Sequence, residues 1–390
     1  MREVLIDVTR LIHRFTNKRL ATGVDRVSLA YIQHYGDNAR AVYRHNSGKF
    51  VFRRTESKVL FDWVLSLGQH GSPKPTIYKG LVMGCLLQNV AGRFLFNTGH
   101  TGLESDGYVA MLASQKVRPI FMVHDLIPLT HPQFCRVGEE EKHFRRLRNC
   151  VQSAAGVVCN SQATLNGLTS LCAEQHWQMP PASVALLATE LPPLTSSAPL
   201  LALPYFVFVS TIEPRKNHLM LLRIWEKLVL QLGALAPRLV IIGQRGWHYE
   251  EVIALLEGSP LLKGVVFEVS GCTDAEMVNY LQHSRALLFP SFTEGYGMPV
   301  AEALTLGVPV IASNLPVFRE FASEIPEYID VLDEDAWTAM IRDYTGATST
   351  SRQAQMVRLQ QFKRPTWQQH FAEVDKLLDA LDRRPQLSFT

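Results

Sequence analysis

The chain has 390 residues, enough for two domains of ordinary size, each with its own core. Its net charge of +3 is too small to argue for nucleic acid as a partner, and no run reaches the roughly eighteen apolar residues that a membrane-spanning helix requires. The six cysteines, Cys85, Cys135, Cys150, Cys159, Cys172 and Cys272, show neither a Cys-x-x-Cys pair nor Cys/His metal spacing, so they read as reduced thiols of a cytosolic protein.

The charge is unevenly placed: residues 1–200 hold 22 Lys+Arg against 14 Asp+Glu, and residues 201–390 hold 17 against 22. A solvated surface accounts for the basic half, as would a first domain that meets an anionic lipid surface or a phosphate-bearing acceptor. The opening MREVLIDVTR has acidic residues within its short apolar run and no small-residue cleavage site. It therefore predicts a first strand over residues 4–8 and not a signal peptide. Residues 9–23 read as a basic, polar connection into a helix from about Val24, with Gly23 permitting a tight turn and Arg26 one turn inside. Both suit a cleft loop, and a plain helix cap with a solvated arginine suits them too. Residues 40–90 carry no readable motif.

Phe94-Leu95-Phe96 is a second strand, ending in Asn97-Thr98-Gly99-His100-Thr101-Gly102. Ligands of open α/β sheets bind beyond the carboxyl ends of the strands, so this loop should line a cleft, although His100 also fits a surface loop. Residues 119–123 form a buried strand with His124-Asp125-Leu126-Ile127-Pro128 at its end. Residues 139–148 predict a helix whose acidic first turn and basic body suit the helix dipole; its basic face is either solvated or rests on an inner membrane. Residues 156–159 are a further strand, with Ser161 placed to cap the next helix. The Pro/Ser content of residues 191–199 marks a linker. The domains are expected at 1–190, 205–365 after a linker at 191–204, and a last helix at 366–390 that crosses back to the first domain.

The second domain opens with a buried strand at 205–210, followed by Thr211-Ile212-Glu213-Pro214-Arg215-Lys216-Asn217. Two adjacent cations before a helix, where backbone N–H groups also lack partners, make a diphosphate site by elementary electrostatics. Residues 239–243 and Gly246-Trp247 give another strand and glycine turn, with Gly243 on a candidate base-binding wall. Thr273 or Asp274 caps the helix after Gly271. The densest stretch is 289–313, FPSFTEGYGMPVAEALTLGVPVIAS: a loop entering a helix near Pro299, then a strand from Val310, with Glu294 in the turn and Glu302 inside the helix.

Glu294-Gly295-Tyr296-Gly297-Met298-Pro299 with Glu302-Ala303 and Gly307-Val308-Pro309-Val310 resembles the signature of retaining glycosyltransferases of family 4. The strings 124–128 and 213–217 resemble further motifs of that family. The resemblance implies an α/β chain of GT-B architecture, two Rossmann-like domains facing across a cleft. It implies transfer of a hexosyl group from a nucleoside diphosphate sugar to a saccharide acceptor, in bacterial O-antigen, capsule or exopolysaccharide synthesis. GDP-mannose or a rhamnose nucleotide is the expected donor, with UDP-hexoses open, and the acceptor a lipid-linked oligosaccharide.

In these terms Arg215 and Lys216 hold the phosphates, Glu294 contacts the donor hexose, and Glu302 accepts from the ribose hydroxyls. Gly295, Tyr296, Gly297, Met298 and Pro299 present backbone groups, and His124 touches the sugar from the first domain. Gly23, Arg26 and His100 belong to the acceptor or cleft loops. No metal and no cofactor is expected, since fixed cations meet the diphosphate and no Asp-x-Asp motif stands where a metal-dependent enzyme would carry one. The enzyme is expected in the cytoplasm, peripheral on the inner membrane face and beside other polysaccharide-assembly enzymes. A sugar-nucleotide epimerase, a glycan phosphorylase or a non-catalytic nucleotide-sugar binding subunit stays open as an alternative.

Overall fold

The computed structural model describes residues 2–45, 48–69, 72–78, 90–193 and 198–383; Cys85, residues 194–197 of the expected linker and residues 384–390 lie outside them. The chain divides into two compact units. Residues 1–129, 137–187 and 367–390 form the first, and 130–136 with 188–366 the second. The first domain expected over 1–190 is thus interrupted, because residues 130–136 and 188–190 belong to the second unit.

The first unit is built on a seven-stranded sheet: β1 (Val4–Asp7), β2 (Ala39–His45), β3 (Gly48–Val51), β4 (Phe94–Asn97), β5 (Arg118–Val123), β6 (Gly156–Cys159) and β7 (Ala182–Val184). Their order is β3-β2-β1-β4-β5-β6-β7, parallel except for the β2–β3 hairpin. Val4, Leu5, Phe96, Phe121 and Val157 are each at most 1% exposed. That is the continuous apolar run of strands covered on both faces by helices.

Residues 9–23, expected as a connection, contain a helix, α1 (Thr9–Thr16). Leu11, Ile12 and Phe15 recur at helical spacing and are buried, while His13 between them is exposed. Helix α2 (Gly23–Tyr35) follows, and the helix predicted over 139–148 is α3 (Glu139–Ser153), after three other α-helices among the described residues further along the chain. Ser161 caps the helix at Gln162–Glu174 by accepting from the Thr164 N–H at 3.0 Å.

In the second unit six parallel strands, β8 (Tyr205–Val209), β9 (Arg238–Ile242), β10 (Val266–Val269), β11 (Leu287–Phe289), β12 (Val310–Ser313) and β13 (Glu327–Ile329), take the order β10-β9-β8-β11-β12-β13. Numbered within the unit this is 3-2-1-4-5-6, the doubly wound order, and the winding reverses between β8 and β11. Helix α4 (His218–Leu232) follows β8, and α5 (Met298–Thr305) follows β11. Both candidate donor loops therefore leave the sheet at its switch point. Of the two candidate caps after Gly271, Thr273 serves, accepting from the Glu276 N–H at 3.2 Å while Glu276 reaches back to the Thr273 N–H.

The last helix, α6 (Trp367–Arg383), belongs to the first unit. It buries Phe371, Val374, Leu377, Leu378 and Leu381, and His370 bonds to both Leu186 and Tyr31.

Candidate functional site

Beyond β8 the chain makes a short turn at Pro214–Lys216 and enters α4 through Asn217, which adopts the left-handed conformation at φ 61°. Beyond β11 it runs through Ser291 to Gly297 before entering α5. The two loops are cross-linked by charge. Arg215 donates from Nε and Nη2 to Oε1 of Glu213 at 3.1 and 2.7 Å, and from Nη1 to the Thr293 carbonyl at 2.8 Å. The same Nη1 lies 2.8 Å from Oε2 of Glu294, whose Oε1 accepts from Lys216 Nζ. Lys216 Nζ also sits over the Phe289 ring, 4.8 Å from its centroid.

These charges are buried. Burial opposes ionisation of Glu294, but Arg215 and Lys216 outweigh it and hold its carboxyl at about 2. Burial, with the charge of Arg215, lowers Lys216 against the pull of Glu294, and burial pushes Glu213 up against Arg215 and Lys216. His218, at the start of α4, is depressed to about 3 by burial and by Lys216. The expected cation pair is thus present, and both members are held by carboxylates. Glu213, which stood in the motif without an assigned task, is the residue that fixes the Arg215 guanidinium.

Gly297 takes φ 95°, and a Cβ there would lie 2.4 Å from Cε1 of Phe318. Only glycine lets the loop turn so closely over that ring. Tyr296 is buried and stacked on Phe321 at 4.9 Å, so its side chain packs inward. Met298 and Pro299 open α5, where proline costs no hydrogen bond because the first N–H groups have no intrahelical acceptor. Gly295 is half-buried in the loop and Glu302 is buried in the body of α5. Gly243 has a reason internal to the fold: a Cβ there would lie 1.8 Å from the Ser210 carbonyl oxygen, where the ends of β8 and β9 converge.

The first unit brings His100 and His124 together at its strand ends, with ring centroids 5.2 Å apart. His124 Nε2–H donates to the Thr98 carbonyl at 2.7 Å, His100 Nε2–H to the Met122 carbonyl, and His143 Nε2–H to the Asp125 carbonyl at 3.1 Å. Burial lowers all three pKa values. Each neutral ring then keeps its Nδ1 lone pair, able to accept from a hydroxyl.

Gly23 and Arg26 lie in the first turn of α2. The strongest polar contacts there belong to Asp25, fully buried, which takes Arg10 Nε at 2.7 Å, Arg14 Nε at 2.8 Å and the Thr22 N–H at 2.8 Å. Ser28 of α2 shares a hydrogen bond with Thr98 at 2.7 Å, tying α2 to the His100 loop. Sequence reading singled out neither Arg10 nor Asp25. The convergence of Arg10 and Arg14 on the buried Asp25 carboxylate shows only once α1 is recognised as a helix.

Three cations of the basic body of α3 are paired: Lys142 and Arg146 meet Glu139, Arg146 also meets Glu104, and Arg148 meets Asp106. Among the described residues no helix is long and apolar enough to cross a membrane, and no three His, Cys, Asp or Glu side chains are grouped to hold a metal ion. Among the described residues, Cys135, Cys150, Cys159, Cys172 and Cys272 take part in no disulfide.

Residues 200–326 match the family described as Glycosyl transferases group 1. The serotype-specific mannosyltransferase WbdA of Escherichia coli is 29% identical over 345 residues, which cover 83% of this chain and 40% of that protein. O-antigen chain mannosyltransferase B of Escherichia coli is 31% identical over 137 residues, 35% of each chain. The chain spans between 26% and 40% of the length of the first curated relatives it matches. Among solved structures, Anabaena HepE in complex with UDP superposes with a TM-score of 0.65 at 14% identity, over 97% of this chain and 100% of that one. Sucrose-phosphate synthase from Thermosynechococcus elongatus gives 0.64 at 13% identity, over 98% and 99%. At such identities the likeness is one of fold.

Proposed function

The chain has the GT-B fold and carries a glycosyltransferase group 1 domain over residues 200–326, and we propose that it transfers a hexosyl group from a nucleoside diphosphate sugar to a saccharide acceptor with retention and without a metal. The observation that carries this reading is the meeting of Arg215, Lys216 and the entry to α5 at the β8/β11 switch point. A leaving diphosphate gains charge in the transition state, and the Arg215 and Lys216 cations beside the N-terminal end of α5 would offset it. Glu302 takes the ribose hydroxyls and Glu294 the hexose, while His124 offers its Nδ1 lone pair to a sugar hydroxyl.

The two relatives described above are mannosyltransferases, one of them of the O-antigen chain, which supports mannose, and GDP-mannose as donor, ahead of a rhamnose nucleotide. We propose further, from the sequence resemblance alone, an acceptor on a lipid carrier, used at the cytoplasmic face of a membrane beside other assembly enzymes. The testing measurement is a calorimetric and thermal-shift titration with GDP, UDP, TDP and ADP. A ligand at 100 times its Kd stabilises the native state by about 2.7 kcal/mol. Selective stabilisation by GDP, lost in Glu302→Ala with the far-UV spectrum unchanged, is expected. Binding of none of the four overturns the reading.

A further inference from the structure

Residues 130–136 lie in the second unit although the chain before and after them belongs to the first. Their seating is specific. The Phe134 ring stacks on Phe292, with centroids 4.9 Å apart and planes 19° from parallel. The Phe134 carbonyl accepts from Trp247 Nε1–H at 3.0 Å, and the Arg136 guanidinium lies over the Trp247 ring at 5.1 Å. Both contacted residues border the charged loops. Phe292 donates its backbone N–H to the Arg215 carbonyl at 2.9 Å, and the next carbonyl, that of Thr293, accepts from Arg215 Nη1 at 2.8 Å. Trp247 follows Gly246, whose N–H bonds to the Ile212 carbonyl at 3.0 Å, immediately before Glu213.

We propose that Phe134 is a positioning residue for the Arg215–Glu294 pair. Its ring bears on Phe292 from outside the sheet and holds residues 292–294 in the register at which Arg215 meets the Thr293 carbonyl and the Glu294 carboxylate. Trp247 and Arg136 hold Phe134 itself. The loop from Ser291 to Gly297 has no regular secondary structure, and Phe292 is only half-buried. A stacked ring therefore supplies constraint that the loop backbone lacks. The effect on transfer rests on the reading given above; the effect on the loop does not.

The test pairs two readouts on the full-length protein. In Phe134→Ala, hydrogen exchange of the peptide containing Phe292 should accelerate about tenfold, because the hydrogen bond from its N–H to the Arg215 carbonyl opens more often, while β8 and β11 exchange as before. With GDP-mannose as donor, kcat should fall about tenfold with the thermal midpoint little changed. Phe134→Tyr, which keeps the ring, should restore both. Unchanged exchange in Phe134→Ala overturns the positioning role whatever the enzyme transfers. Accelerated exchange with undiminished kcat overturns its bearing on the chemistry. A wild-type protein that binds and transfers no nucleotide sugar overturns the transferase reading instead, and exchange still decides whether Phe134 holds the loop.

Discussion

Lys216 donates to Glu294 across 78 positions of sequence, and the bond joins the loop after β8 to the loop after β11. Their side chains are only 10% and 8% exposed, so neither charge is well solvated. Removing one partner of a buried pair leaves the other uncompensated, at a cost of about 3 kcal/mol. Glu294→Gln should lower unfolding free energy by that order in urea titration at pH 7, and should also abolish transfer.

The same pair sets a pH window. The Glu294 carboxyl is held at about 2 against an ordinary value of 4.5, because Arg215 and Lys216 outweigh its burial. A depressed carboxylate contributes stability that is fully present above pH 4.5 and drains away as pH falls toward 2. Unfolding free energies of wild type and Glu294→Gln should therefore be separated at neutral pH and converge through that window. A constant separation down to pH 2 would mean that the charge of Glu294 is not the stabilising element.

His370 predicts a second acid sensitivity, in the first unit. A carbonyl can only accept, so Nδ1–H donates to Leu186 at 3.1 Å and Nε2 accepts from the Tyr31 hydroxyl at 3.1 Å. Burial lowers its pKa to about 4, against the pull of the backbone carbonyls of Leu186 and Ala185. The unfolded chain then binds the proton more readily, and stability falls as pH drops from 6.5 toward 4, by roughly 3 kcal/mol. His370→Gln, which does not titrate, should flatten the fall in that interval when urea unfolding is compared at pH 7 and 4.5.

Gly297→Ala should damage the second unit through two independent causes, a left-handed backbone at φ 95° and a Cβ 2.4 Å from Phe318. Strain of this kind costs about 1 to 3 kcal/mol, and relief by shifting the entry to α5 would weaken GDP binding in calorimetry. Gly271→Ala, where an added Cβ meets nothing within 4 Å, is the matched control and should leave binding alone.

Asp25→Ala should destabilise α1 and α2. The carboxylate is 0% exposed and serves Arg10, Arg14 and the Thr22 N–H together. Loss of about 3 kcal/mol in denaturant unfolding is expected, with accelerated hydrogen exchange over residues 9–25.

Strands such as those at residues 94–97, 119–123 and 156–159 were readable because each is a short apolar run bounded by glycine, proline or a polar turn, whereas β2 and β3, with charged residues among the apolar ones, and the three-residue β7 and β13 were not. The loop after β11 was readable for the same reason and because its glycines and prolines punctuate it. Helix α1 was not, since Arg10, His13 and Arg14 interrupt its apolar residues and only spacing reveals Leu11, Ile12 and Phe15 as one face. The tasks of Glu213 and Asp25 were hidden because charge pairs are set by side-chain geometry in three dimensions. Phe134 was invisible for a stronger reason: its partners, Phe292 and Trp247, lie more than a hundred positions away. Gly243 looked like part of a ligand wall, and the close approach of Ser210 explains why it must be glycine in any case.

The chain passes between the two compact units four times, after residues 129, 136, 187 and 366. The units are therefore not interchangeable cassettes. A chimera joined near residue 190 would bring residues 130–136 from one parent to the Phe292 and Trp247 of another. A fragment of residues 188–366 would present those two side chains with nothing stacked or bonded as Phe134 is. Recombination between relatives should preserve function only when all three stretches of the second unit's neighbourhood, 130–136, 247 and 292, descend together.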